Sequence, residues 1–278
     1  MEKIYRLLII NPGSTSTKLS LFENKKELFQ KSQFHDAPVL LQFPHVNGQV
    51  PFRYQVILDM LKEEGVDPSD IDVFVGRGGS ACTQPSGVTI IDQKLYDDTE
   101  AAVGGSEHAA KLGVMLAWRF AQNYHKPAYT LNPTNVDEYC DYARLTGIRG
   151  LYRTPHSHVL NPKAVAIAHA ESMGKRYEDC NFIVGHIDGG VTVSTHYHGK
   201  MIDGTMGADG DGPFAPPGSA VCRCWNCWII LRPIPWMTCG ECAPGPADLS
   251  AFSVPPTRIP CTRWWNRETK KPRLSGIP

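Results

Sequence analysis

Along the first 218 residues, apolar positions switch repeatedly between the short runs of buried strands and the three-to-four spacing of helices. Ile4–Ile10 is an apolar run that predicts a strand buried on both faces. The turn Asn11–Thr17 follows, and Lys18–Glu23 alternates as a second strand. Arg53–Glu64 carries Ile57, Met60 and Leu61 at helical spacing. Ile71–Val75 reads as a strand, closed by Gly76-Arg77-Gly78-Gly79. Glu107–Tyr124 repeats Leu112, Met115, Leu116 and Phe120, the pattern of a long amphipathic helix. Pro127–Leu131 is strand-like, Pro162–Met173 helical, and Asn181–Ile187 a buried strand. Strands alternating with helices predict an α/β fold.

Two stretches repeat one pattern. Leu7–Phe22 runs apolar strand, small polar turn, strand; Phe182–Tyr197 does the same through His186-Ile187-Asp188-Gly189-Gly190. Aligning Gly13 with Gly189 superimposes them, which predicts two domains that share a hairpin, each turn facing a common cleft. Small polar turns are common, so two unrelated hairpins would give the same pattern.

Composition changes the picture at one point only. The 278 residues carry 28 basic and 28 acidic side chains and are 42% apolar, as in an ordinary globular protein of one or two domains. No apolar run approaches the roughly 20 residues of a membrane helix. Met1-Glu2-Lys3 leads straight into the first strand, so the chain reads as cytoplasmic, with neither membrane nor nucleic acid as a partner. The averages hide a break. Residues 1–218 hold 20 basic and 25 acidic residues, three Cys and one Trp; residues 219–278 hold 8 basic and 3 acidic residues, six Cys, five Trp and nine Pro.

The turns carry the chemistry. Asn11–Lys18 combines four small hydroxyl residues with a Gly and a Lys, so backbone N–H groups, hydroxyls and a point charge can all meet a phosphate. It is neither a P-loop nor a dinucleotide fingerprint. An ordinary hairpin turn has the same composition. Arg77 lies between glycines at a strand end, where its fork can reach a carboxylate or phosphate or simply be solvated. The pairs His156/His158 and His196/His198 could be drawn into a zinc site, although two His on the solvent face of a strand also explain the second pair.

Five segments, taken in order, resemble the butyrate kinases, a branch of the acetate kinase family in the actin/hexokinase/Hsp70-like superfamily. They are Asn-Pro-Gly-Ser-Thr-Ser-Thr-Lys at residues 11–18, Val-Gly-Arg-Gly-Gly at 75–79, Gly-Ser-Glu-His-Ala at 105–109, His-Ile-Asp-Gly-Gly at 186–190, and Asp209-Gly210-Asp211-Gly212-Pro213-Phe214. The resemblance runs from about residue 4 to 216. It implies a two-domain actin-like (ribonuclease-H-like) kinase fold: residues 1–150 as the first domain, 151–218 as the start of a truncated second domain, and 219–278 as an aberrant tail. It implies ATP and Mg²⁺ as cofactors, a short-chain carboxylate such as butyrate as substrate, and a homo-oligomer in the intact family form.

The same resemblance assigns residues. Asn11, Ser14, Ser16 and Lys18 match the first phosphate loop, with Asn11 near the transferred phosphoryl group. Arg77 matches the Arg at the carboxylate and phosphoryl site, and His158 the His that stabilises the transition state. His186, Asp188, Gly189 and Gly190 match the second phosphate loop. Two departures stand out. Asn132 occupies the place of the family's magnesium-linked Asp, leaving Asp137 to compensate, and Pro217-Gly218-Ser219 stands where a second Arg should follow Gly-Pro-Phe-x-Pro.

The tail admits two explanations. Cys224-x-x-Cys227 and Cys239-x-x-Cys242, with Cys222 and Cys261 nearby, resemble a zinc ribbon of slightly short spacing, and its basic, Trp-rich surround would suit nucleic acid. The genetic code offers the other, because Trp has a single codon and Cys a pair. Cys222-Arg223-Cys224-Trp225-Asn226-Cys227-Trp228-Ile229, with Arg223 on a CGN codon and the bases taken from one position earlier, spells [Leu/Met/Val]-[Pro/Ser]-[Leu/Met/Val]-Leu-Glu-Leu-Leu-Asp. Trp236–Cys239 converts likewise to [Leu/Met/Val]-Asp-Asp-[Leu/Met/Val]. The cysteines and tryptophans then read as shadows of leucine and valine codons in a frame displaced near codon 218.

Overall fold

The computed structural model describes residues 3–79, 83–102, 108–146, 148–187 and 190–206. Asp188, Gly189, Cys82, most of the 105–109 motif and the whole tail from residue 207 lie outside the described residues.

The chain opens with a meander, β1 (Arg6–Pro12), β2 (Ser16–Glu23) and β3 (Lys26–Phe34), followed by a short α1 (Ala37–Leu40) and the long α2 (Val50–Glu63). Then come β4 (Val73–Gly76), β5 (Val88–Ile90), α3 (Gln93–Glu100), α4 (Leu112–Tyr124) and β6 (Ala128–Leu131). These strands form one six-stranded sheet in the order β3-β2-β1-β4-β6-β5. β1, β4 and β6 are parallel, so Pro12, Gly76 and Leu131 end at the same edge. Leu8 and Ile10 of β1, Ile57 and Leu61 of α2, Phe74 of β4 and Leu116 and Phe120 of α4 are fully buried in one core. Phe74 and Phe120 stack with centroids 5.3 Å apart.

The second sheet is smaller: β7 (Asn181–Ile187), β8 (Val191–Tyr197) and β9 (Lys200–Gly204), preceded by α5 (Asp141–Arg144) and α6 (Leu160–Ser172). Both repeated stretches are antiparallel hairpins, pairing Asn11 with Lys18 in one and Ile187 with Val191 in the other. α6 covers one face of this sheet, where Ala166, Ala170, Tyr177 and Cys180 pack against Phe182 and Val184. The irregular segment between β6 and α6 ties the two halves. Lys163 Nζ lies 2.6 Å from Glu138 Oε2 and 2.6 Å from Ser86 Oγ, and Arg153 Nη1 donates to Asp203 at 2.8 Å.

The structure corrects several expectations. β1 is fully buried only at alternate positions, with Ile4 and Tyr5 exposed before it, because the helices cover the Leu8/Ile10 side. β3 carries little apolar signal, Lys26-Glu27-Leu28-Phe29-Gln30, because it is an edge strand whose side chains meet water. β7 is not buried on both faces: Ile183 and Ile187 are 78% and 83% exposed. Its apolar run includes a face that no other described residue covers.

His196 and His198 do not share a solvent face either. β8 ends at Tyr197, His198 takes a left-handed turn conformation (φ 46°), and His196 is buried. Tyr177 Oη lies 2.6 Å from His196 Nδ1, and His196 Nε2 lies 2.9 Å from Ser194 Oγ, so both ring nitrogens are engaged. Burial, helped by the charge of Lys163, pushes its pKa down to about 4. In the unfolded chain a His takes up its proton near pH 6.5, so acid favours unfolding. The stability tied to neutral His196 is intact above about pH 6.5 and is lost towards pH 4, on the order of 3 kcal/mol in all. Thermal unfolding between pH 7 and 4.5 should show this loss, and His196→Gln should flatten the slope; an unchanged slope in the variant would remove His196 as its source.

Candidate active site

Asn11 and Arg77 stand at the carboxyl ends of parallel neighbours β1 and β4, the edge where open α/β sheets bind ligands. The Arg77 N–H donates to Ile10 O at 2.8 Å, extending the β1–β4 ladder by one residue. Its Nη1 reaches Asn11 Oδ1 at 3.5 Å, and the rest of the exposed guanidinium has no partner among the described residues. An exposed fork of this kind suits a carboxylate or phosphate.

Glycine makes this placement possible. A Cβ on Gly113 would stand 2.2 Å from the Arg77 carbonyl oxygen, and one on Gly78 (φ 143°) would stand 2.0 Å from Ala110 O. The Arg77 loop thus rests directly on the backbone that enters α4, bringing it beside the helix's positive end.

The first phosphate loop is held from within. Gly13 N donates to Ser16 O at 2.8 Å, closing the turn, while Ser14 and Lys18 are exposed and Ser16 is buried. Beneath it lies Arg53 of α2, which is 0% exposed. Sequence reading missed Arg53: a single Arg on an amphipathic helix reads as solvent-facing. Lys111, at the entry to α4, is also buried, with its ammonium unpartnered among the described residues.

His158 and His186 form a second cluster, their rings stacked with centroids 4.2 Å apart. His158 Nδ1 lies 2.9 Å from Thr192 Oγ1, and Asn161 Nδ2 lies 2.8 Å from His186 Nδ1. Gly190 follows at the turn, while its partners Asp188 and Gly189 are outside the described residues. The two clusters are linked through Thr134. Its Oγ1 stands 2.7 Å from where a Gly79 Cβ would be, and its carbonyl accepts from Ser157 N at 2.9 Å. Arg77 and His158 therefore flank one chain of contacts.

Asn132 and Asp137 do not fit a protein-held magnesium ion. Asn132 Oδ1 already accepts from Gly87 N at 2.7 Å and from Ser86 Oγ at 3.2 Å. Both Asp137 oxygens are held by Arg144, at 2.6 and 2.9 Å, and this pairing raises the Arg144 pKa. Asp137 thus has no oxygen left unpaired with which to compensate for Asn132. The left-handed backbone at Asn132 (φ 41°) suits Asn or Asp. Asn132→Asp should keep both acceptor bonds and add one unpaired carboxylate oxygen, lowering the Mg²⁺ midpoint of activity in a full-length context. A midpoint that does not move would rule this position out. Among the described residues no three His, Cys, Asp or Glu side chains gather as a metal site, and the paired cysteines of the tail lie outside them.

No protein-family model matches the chain. It is 42% identical over 216 residues to butyrate kinase 1 of Clostridium acetobutylicum, covering 78% of this chain and 61% of that protein. The chain is homologous to the butyrate kinases. A probable butyrate kinase of Enterococcus faecalis is 41% identical over 213 residues, with 77% and 58% covered. The chain thus spans about three fifths of the length of these curated relatives. Among solved structures, the acetate kinase of Porphyromonas gingivalis superposes with a TM-score of 0.55 at 15% identity, covering 83% of this chain and 65% of that one. A propionate kinase of Francisella tularensis gives 0.56 at 16% identity, with 85% and 66% covered. These likenesses establish the actin-like α/β kinase fold expected from the butyrate kinase resemblance. No described helix is long and apolar enough to cross a membrane.

Proposed function

We propose that this chain represents a kinase that transfers the γ-phosphoryl group of ATP to a short-chain carboxylate, butyrate foremost, giving butanoyl phosphate and ADP. The observation that carries the reading is the Asn11–Arg77 pair beside a hydroxyl-rich loop, inside the stretch homologous to the butyrate kinases. A short carboxylic acid has a pKa near that of Glu, roughly 4.3, so the nucleophile is ionised at neutral pH and needs no general base. The barrier is the approach of one anion to another. Positive charge and positioning lower it: Arg77 holds the carboxylate or the phosphoryl oxygens by its fork, Lys18 supplies a point charge, His158 faces the developing charge, and Asn11 aligns the transferred group.

Ser14 and Ser16 supply donors for the first loop; His186, Asp188, Gly189 and Gly190 form the second, on the domain that begins near residue 151. Closure of the two loops around the substrates would exclude water. Residues 219–278 belong, in this reading, to a displaced frame. Acyl-phosphate formation from acetate, butyrate and isobutyrate by the protein with its frame restored tests the substrate. Butyrate should be preferred, and a preference for acetate would make this an acetate or propionate kinase instead.

A further inference from the structure

Arg53 projects from α2 into the space beneath the first loop, and its guanidinium is entirely buried. Nη1 donates to Ser16 O at 2.8 Å and to Thr17 Oγ1 at 3.1 Å, Nη2 to Ser14 O at 3.3 Å, and Nε to Gln49 Oε1 at 3.0 Å. All four acceptors are neutral. No carboxylate pairs with Arg53 among the described residues, which is unusual, since buried charges are ordinarily paired. Burial lowers its pKa to about 10, so the charge persists at neutral pH.

The bonds dictate how the loop presents itself. In a trans peptide the N–H points opposite the C=O. With Ser14 O drawn inward by Arg53, the Thr15 N–H is turned outward, away from the core. The Thr17 hydroxyl accepts from Arg53 and lies 2.8 Å from His35 Nε2, which ties the loop to His35 as well. Burial together with the Arg53 charge lowers the His35 pKa.

We infer that Arg53 is a positioning residue for phosphate, which pins the carbonyls of Ser14 and Ser16 inward so that loop donors face a polyphosphate whose negative charge completes the pairing of the buried guanidinium. The inference rests on the reading of Asn11–Lys18 as a phosphate loop. It adds to that reading a residue outside the loop that sets the loop's anion affinity.

Calorimetric titration of the full 278-residue chain with inorganic tripolyphosphate tests it, each protein held well below its own unfolding temperature. Arg53→Met should weaken binding by about tenfold or more, and Arg53→Lys, which keeps the charge but not the fork, should recover part of the loss. A residue needed only for folding would lower the unfolding temperature of both variants and leave the affinity of the folded protein unchanged, which would overturn the inference. Where Arg53→Met does not fold, Gln49→Leu keeps the guanidinium but frees its Nε. Several-fold weaker binding supports positioning, and native affinity opposes it. Absence of binding in the unmodified chain would instead overturn the phosphate-loop reading itself, so the two failures are distinct.

Discussion

Replacing Arg77 by Ala, in an intact relative with the same loop, is expected to remove about 2.7–4 kcal/mol of transition-state stabilisation, roughly a hundred- to a thousandfold in turnover. The guanidinium stands exposed at the end of β4, touching only Asn11 Oδ1 among the described residues, and its loop is pressed onto the entry of α4. Deleting the side chain leaves those backbone contacts in place, so the loss should fall on kcat and not on folding. Arg77→Lys should recover only part of it, because a point charge cannot make the two-pronged contact of the fork. Turnover at the unmodified level in the Ala variant would exclude Arg77 from the reaction.

A larger effect is expected from the reading frame. Restoring one base near codon 218 should extend the protein into a longer kinase, whereas the 278-residue chain should form no acyl phosphate. The motive is the break in composition together with the codon arithmetic, which turns a Cys- and Trp-rich segment into an aliphatic one at the point where the family's second Arg is missing. The structure adds a physical consequence. Ile183 and Ile187 present an apolar face that no described residue covers, and such a face favours self-association. Light scattering should show the 278-residue chain associating, and the restored protein should do so less. An undisturbed gene would refute the displaced frame outright.

The parts of the site that were legible in the sequence were those written in residue types. A hydroxyl-rich turn and an Arg between glycines can be read from residue types alone, and Arg77 Nη1 does lie 3.5 Å from Asn11 Oδ1. What could not be read depended on partners far along the chain. Arg53 reaches Ser14 and Ser16 across more than 35 residues, and nothing local distinguishes it from a solvated helix residue. Asp137 looked available for a metal because its pairing with Arg144 arises only when α5 folds back. β3 escaped because an edge strand has little need of apolar side chains, and His196 because burial of an imidazole between Tyr177 and Ser194 leaves no periodic trace.

The most direct test is phosphoryl transfer itself: hydroxylamine trapping of the product formed from ATP and butyrate, run on the frame-restored protein beside the 278-residue chain. Butanoyl hydroxamate from the restored protein and none from the shorter chain is the expected result. A folded, restored protein that forms no hydroxamate from butyrate would contradict the account.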